Sequence, residues 1–371
     1  MGDAYRFGIE EEYFLADRAT GASPGTAAAD AFHAAAAESG LPASPELLKG
    51  QVEVATEPGG DLAAAAHALR GLRRSLAGLA DAQGLVLFAA GTHPLAVSDA
   101  QATTEKTRYQ ELEGEFGALA HRMMVCATHV HVEVPDPATR VALMQRLVPY
   151  LPLFLALSVG SPFWQGQDTR LDGFRLAAFS EWPRMGLPEP VADMAEFERL
   201  VARLVAAGMI KDASYLWWYL RPSIKYPTLE MRICDSCTRV DDVVAIAALY
   251  RCLVRAAVRA PDAMPMADVV ERAVTAENIW QVQRHGVRAR LVAAAGTTSV
   301  GEALEAALAL VAEDAEALGC AAALAPARAI VLEGAGADLQ RAAFRAAQRS
   351  GADERESLRA VVDALAEATA G

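Results

Sequence analysis

The sequence predicts an α+β fold: a curved antiparallel β-sheet with one open face, helices packed on the other, and a helical C-terminal region. Three observations lead there. Several short stretches alternate with period two, each with one apolar face and one polar, chemically loaded face. These strands do not alternate one for one with helices, as a parallel sheet of βαβ units requires. From Asp262 onward the chain is Ala-rich and reads as helices. A single domain over residues 1–371 is expected, with 1–260 the sheet-containing core and 261–371 a helical C-terminal extension. The 371 residues are 53% hydrophobic, so a sizeable core is available.

The first alternating stretch is Tyr5–Leu15. It places Phe7, Ile9, Glu11, Tyr13 and Leu15 on one face and Gly8, Glu10, Glu12 and Phe14 on the other. Two carboxylates then point the same way from an otherwise apolar strand, with Glu11 pointing away from them. Like charges this close are costly without positive charge between them. A divalent cation supplies it, and carboxylate oxygens suit Mg²⁺ or Mn²⁺. A solvated edge strand is the plainer alternative.

Asp17–Gly25 is a turn-rich connection, and Ala27–Ser39 an Ala-rich helix ended by Gly40. In Gln51–Thr56, Val52 and Val54 face one way while Gln51, Glu53 and Ala55 face the other, which adds a carboxylate on a second strand. Asp61 caps a helix running to about Gln83, with Leu62, Leu69, Leu72, Leu76 and Leu79 on its apolar side. Leu85–Ala90 is a buried strand, followed by a turn at Gly91–Pro94 and a helix over Thr107–Met123.

Cys126–Val134 puts His129, His131 and Glu133 on one face. A His-x-His pair sharing a face serves a metal or an anion more often than a lone histidine does. Ala138–Val159 is helical with a break near Tyr150–Pro152. Ser161–Arg175 has no period and mixes Gly, Arg and aromatic residues. It is equally a plain connection or a substrate-binding loop offering Trp164, Arg170 and Arg175. Asp193–Ala207 is a helix closed by Gly208. In Thr228–Asp235, Leu229, Met231 and Ile233 face the core while Glu230 and Arg232 share the other side. Asp241–Ala260 is a very apolar, buried helix. The open sheet face thus collects Glu10, Glu12, Glu53, His129, His131, Glu230 and Arg232, a set suited to two metals and a phosphate group.

A net charge of −13 and a pI near 5.1 argue against nucleic acid or an anionic membrane as main partner. No uncharged run of apolar residues is long enough to suggest a transmembrane helix, and no basic-then-apolar segment marks secretion. Five cysteines, an odd number, do not make a disulfide framework, so a cytoplasmic setting is expected. Cys234–Asp235–Ser236–Cys237 is a lone C-x-x-C without the second pair of a structural zinc site, and reads as two buried thiols. The chain has no P-loop, no Gly-rich dinucleotide fingerprint and no Ser or Cys triad signature.

Several ordered blocks resemble one family. They are Gly8–Ile9–Glu10–Glu11–Glu12–Tyr13, Thr128–His129–Val130–His131–Val132, Asp168–Thr169–Arg170, Leu220–Arg221–Pro222, Glu230–Met231–Arg232–Ile233–Cys234–Asp235, and Glu277–Asn278 with Arg284–His285–Gly286. Together, from Phe7 to about Gly286, they resemble the carboxylate–amine ligases of the glutamate–cysteine ligase type 2 group, whose catalytic sheet is related to that of glutamine synthetase.

The resemblance implies an ATP-dependent enzyme that uses two or three Mg²⁺ or Mn²⁺ ions and joins a small-molecule carboxylate to an amine. It implies that Glu10, Glu230 and His129 form one metal site and Glu12 and Glu53 another. Arg232 matches an arginine that stabilises the transferring phosphoryl group, and His131 a position near the nucleotide phosphates. Arg221 and Arg170 are candidates for phosphate or substrate carboxylate. Glu133 departs from the small residue expected there. The implied reaction moves the γ-phosphoryl group to a carboxylate, and an amine then displaces phosphate. Two alternatives stand beside it: a metal-dependent amidohydrolase needing no ATP, and a non-catalytic nucleotide- or amino-acid-binding protein. A homodimer is one expectation for the assembly.

Overall fold

The computed structural model describes residues 5–371. A seven-stranded sheet carries the fold. Its strands are β1 (Phe7–Asp17), β2 (Ala43–Pro45), β3 (Gln51–Ala55), β4 (Leu85–Phe88), β5 (Thr128–Glu133), β6 (Leu220–Pro222) and β7 (Thr228–Met231). They run in the order β6-β7-β5-β1-β3-β2, all antiparallel, and β4 pairs with the far end of β1. β1 is the organising strand. Phe7–Glu11 pair with β5, Glu10–Phe14 with β3, and Phe14–Asp17 with β4.

The back of the sheet is covered as the alternation requires. Tyr13, Leu15, Val52, Val54, Leu85 and Leu87 pack with Phe32 of α1 (Thr26–Glu38) and Leu76 of α2 (Leu62–Ala82). Asp61 starts α2 by accepting the N–H groups of Ala63 and Ala64, which have no partner inside the helix. Ile9, Val130, Val132, Leu229 and Met231 continue the core toward α3 (Leu151–Ser158) and α4 (Val240–Arg259). Cys234 and Cys237 are buried thiols in this core region.

The front face is less open than the sequence suggests. Phe14 shares it with Glu10 and Glu12 but is only 2% exposed. Phe14, Val86 and Phe88 pack against Leu358, Val361, Val362 and Leu365 of the final helix, α7 (Glu354–Ala370). The C-terminal region therefore closes half of this face and leaves only the half around Glu10 and Glu12.

That region is not purely helical either. Between α5 (Val269–His285) and α6 (Gly336–Arg349), Arg290–Ala293 and Gly296–Ser299 pair as a hairpin. Gly296, at φ +117°, makes the turn, and the β-branched Thr297 and Thr298 follow. The helix expected over Thr107–Met123 breaks at Gly117, whose φ of +54° only glycine adopts readily, into Thr107–Phe116 and Ala118–His121. The helical run Pro137–Ser158 has a mean hydropathy of 1.5 and could span a membrane by length and composition, but 78% of that stretch is buried inside the molecule. Its Pro149 and Pro152 fall where the break was expected.

Candidate active site

Strand register brings the loaded residues opposite one another. Glu10 pairs with His129, Glu12 with Glu53, His131 with Glu230, and Arg221 with Glu230 across the next strand. Their side chains line one cleft of about 460 Å³.

Two donor sets meet there: Glu10, His129 and Glu230, and Glu12, Glu53 and His129. In each set the ligating atoms lie within 4.8 Å of one another. His129 belongs to both. Its Nδ1 lies 3.3 Å from Glu10 Oε2, and its Nε2 lies 3.8 Å from Glu12 Oε1. A neutral imidazole has one lone pair, so His129 can serve only one set at a time. Burial and the Arg232 charge push its pKa down to about 4, so it is neutral near pH 7. The Nε2 atoms of His129 and His131 are buried and make no well-aligned hydrogen bond, although that of His131 lies 3.3 Å from Glu10 Oε1. His131 is oriented by an Nδ1 contact of 3.0 Å with Thr228 Oγ1.

The carboxylates fall into two electrostatic classes. Burial works against a charge on Glu230, but Arg232 and Arg221 hold its carboxyl well below the usual range. Burial likewise opposes a charge on Glu10, and the adjoining imidazoles of His129 and His131 hold it low. Glu12 is pushed up to about 8 by burial and by the neighbouring Glu46. Glu53 is raised well above the usual range by burial and by Glu46, Glu10 and Glu12. Like charges directly opposite on paired strands repel. On the Glu12–Glu53 side the more distant Arg175 and Arg232 charges do not offset burial and the other carboxylates, whereas Glu230 is paired directly with Arg221 and Arg232.

Arg232 donates to Glu230 Oε1, and its Nη1 lies 3.5 Å from His129 Nδ1. Arg221 is engaged mainly by protein. Its Nε and Nη2 hold Glu230 at 2.7 and 3.1 Å, and its Nη1 donates to the carbonyls of Ser214 and Leu216. It orients Glu230, and four of its five N–H donors are spent on protein, which leaves one on Nη2.

The structure brings together Glu10, Glu12, Glu53, His129, His131, Glu230, Arg221, Arg232 and Arg175. It does not bring Arg170 or Trp164 to the cleft. Trp164 is buried against Phe174, with ring centroids 5.5 Å apart. The loop around Arg170 is drawn outward instead, because Arg341 of α6 holds Asp168 and Asp172 and Arg288 also holds Asp172. Glu133 lies outside the cleft lining.

Sequence reasoning missed Glu46 and Arg108, both of which line the cleft. Glu46 follows β2 directly, and its carboxylate accepts from Leu47 N and, at 3.3 Å, from Tyr109 Oη. The signal for it was the Gly50 turn ahead of Gln51–Thr56, which marks a hairpin and so a second strand just upstream. Arg108 lies over the Tyr215 ring at 5.3 Å, a contact between distant segments with no local signature.

Residues 6–364 match the family "Glutamate-cysteine ligase family 2 (GCS2)". A protein of Bradyrhizobium diazoefficiens, named "Putative glutamate--cysteine ligase 2", is 45% identical over 341 residues, covering 92% of this chain and 80% of its own length. One of the same name from Rhodospirillum rubrum is 42% identical over 368 residues, covering 98% and 95%. Among solved structures, glutamate–cysteine ligase of Francisella tularensis in complex with AMP aligns with a TM-score of 0.61 at 9% identity, over 99% of this chain and 93% of that one. A bifunctional glutathione synthetase from Pasteurella multocida aligns with a TM-score of 0.67 at 13% identity, over 98% of this chain, which spans about half (52%) of that longer protein. Both share the fold of this sheet. By its match along nearly the whole sequence, the chain belongs to glutamate–cysteine ligase family 2.

Proposed function

We propose that this protein is an ATP-dependent carboxylate–amine ligase that forms an amide of γ-glutamyl type through an acyl phosphate, with glutamate and cysteine as the pair its relatives' names suggest. One observation carries the reading. Two carboxylate–imidazole sets sharing His129 stand beside a buried arginine in a single cleft.

The residues fit divalent cations. The Glu12–Glu53 opposition and the unpartnered ring nitrogens of His129 and His131 are the environment a cation relieves. Glu10 and Glu230 would hold one Mg²⁺ or Mn²⁺, and Glu12 and Glu53 with Glu46 a second, with His129 completing either set. Ions so bound neutralise charge on phosphate oxygens.

The chain's own groups do the rest. Arg232 presents a planar fork to the phosphoryl group as charge builds on it. Arg221 keeps Glu230 from turning away. His131, fixed by Thr228, borders the phosphates. Arg108 and Lys225 are further cations of the cleft wall, suited to a substrate carboxylate. The reaction needs no protein nucleophile. A substrate carboxylate oxygen attacks the γ-phosphorus and ADP leaves. The amine then attacks the acyl carbon, phosphate departs, and a proton is lost from nitrogen. All five cysteines are free and buried, which favours a reducing, cytoplasmic setting.

The test is phosphate release from ATP, screened over carboxylate and amine pairs with and without Mg²⁺ or Mn²⁺. The ligase reading expects ADP, phosphate and amide in equal amounts, only with both substrates and the ion present. Amide hydrolysis without ATP points to an amidohydrolase. ATP binding without turnover for any pair points to a binding protein.

A further inference from the structure

Arg175 lines the cleft, yet it is only 2% exposed and its fork points into the protein. Nη1 donates to the carbonyl of Ile233 and Nη2 to that of Arg232, each at 3.2 Å. Nη1 also lies 3.8 Å from Oδ1 of Asp235, which has no other partner.

Asp235 is fully buried. Its Oδ2 accepts from Gly160 N at 2.8 Å and from the Ser161 hydroxyl at 2.6 Å. Ser161 Oγ accepts in turn from Arg175 N at 3.0 Å, which closes a ring of contacts. Glycine at position 91 makes room for it, since a Cβ there would stand 2.4 Å from the Asp235 carboxylate. Gln340 of α6 braces the ring from behind by donating to Gly160 O at 2.7 Å.

This construction sits where the sheet stops. β7 ends at Met231, so Arg232 projects from a segment beyond the ladder. The Arg232 amide is held by Tyr219 O at 2.8 Å, and its carbonyl by Arg175. We propose that Arg175 and Asp235 are a positioning pair that fixes the backbone of Arg232, and so the angle of its guanidinium in the cleft, and that Arg175 is no clamp for a substrate carboxylate. The proposal rests on the ligase reading for what Arg232 does, but not for how it is held. A buried carboxylate with two hydrogen bonds and one facing guanidinium keeps a single geometry, and small misplacements of a charged group cost rate before they cost binding.

A double-mutant cycle tests it. Asp235→Asn and Arg175→Lys should each lower kcat about tenfold or more while the KM values for ATP and both co-substrates stay within about twofold. In an Arg232→Lys background, Asp235→Asn should add little, because its effect passes through Arg232. Backbone hydrogen exchange gives a readout independent of turnover. Exchange at Arg232–Asp235 should rise about tenfold in either variant, with β1 and β5 unchanged. Losses that multiply in the double variant overturn the pair, as does a raised KM for the carboxylate substrate at unchanged kcat in Arg175→Lys. If the wild type shows no ATP-dependent turnover, the ligase reading fails, and exchange alone decides on the pair: unchanged exchange at Arg232–Asp235 overturns it.

Discussion

On the back of β1, Glu11 is fully buried against Arg73 of α2, which grips it through Nε and Nη2. Tyr13 Oη donates to the same carboxylate, and Arg73 also donates to the carbonyls of Cys237 and Thr238. On the front of the same strand, Glu10 and Glu12 face other carboxylates, and the nearest imidazoles keep unpartnered nitrogens. Neighbouring residues of one type therefore meet opposite surroundings, set only by the parity of the pleat. Where a guanidinium and a hydroxyl meet the carboxylate directly, it stabilises the fold. Where positive charge is more distant, the protein holds carboxylates in an arrangement that favours a ligand over stability.

The largest expected effect breaks the matched side. Glu11→Gln leaves Arg73 buried with half a partner, and loss of one member of a buried ion pair costs about 3–5 kcal/mol. Glu11 does point away from the cleft, as the alternation predicts, but its replacement is not silent. Denaturant unfolding should show the loss, while turnover per folded molecule stays near wild type. A stable variant with damaged turnover would contradict the division between the faces.

On the front face the pattern should invert. Glu10→Gln or Glu12→Gln should reduce turnover about a hundredfold or more, the scale of damage expected for groups that hold an ion. Stability of the metal-free protein should fall for Glu10→Gln, whose carboxylate the neighbouring imidazoles hold low, and rise slightly for Glu12→Gln, whose carboxyl is pushed up. Glu53→Gln should also raise it slightly, because it removes a carboxyl whose ionisation burial, Glu46, Glu10 and Glu12 all oppose. Thermal unfolding after treatment with a chelator checks both.

The covered half of the front face gives a pH prediction. His93 packs edge-on against Phe14 and Phe88, and burial pushes its pKa down to about 3. Its Nδ1 accepts from Leu95 N and Ala96 N at 3.1 Å each, which requires a neutral ring. A depressed histidine binds its proton in the unfolded chain first. Its contribution is therefore fully present above about pH 6.5 and is lost as pH falls toward 3, by about 1.4 kcal/mol per pH unit. His93→Gln should flatten that part of the stability–pH curve. An unchanged slope would mean that the ring is not held neutral.

The smallest effect belongs to Arg170, which the structure keeps out of the cleft. Arg170→Ala should change kcat and the KM values by less than about twofold. A tenfold rise in one KM would show that the loop reaches substrate.

These cases show what the sequence could express. Period two was enough to separate Glu10 and Glu12 from Glu11 and to put His129 and Glu230 on the same side, because pleat parity is a local property. It could not show that α7 covers Phe14, or that Arg341 and Arg288 turn the Arg170 loop outward, because those partners lie far along the chain. Glu46 fell between, visible only if the Gly50 turn is taken as a hairpin. Arg221, a candidate for phosphate or substrate carboxylate from the resemblance alone, lines the cleft, and its closure on Glu230 was hidden until register was known.

The most direct test of the account follows one oxygen atom. If the front-face carboxylates serve to bring the terminal phosphates of ATP to a substrate carboxylate, one oxygen of that carboxylate bonds to the γ-phosphorus and leaves with it. Substrate labelled with ¹⁸O in the carboxylate should yield phosphate carrying one labelled oxygen for each amide formed, as seen by mass spectrometry or by the ³¹P isotope shift. Unlabelled phosphate, or label in AMP with release of pyrophosphate, would contradict the account even if ATP and a divalent ion proved necessary.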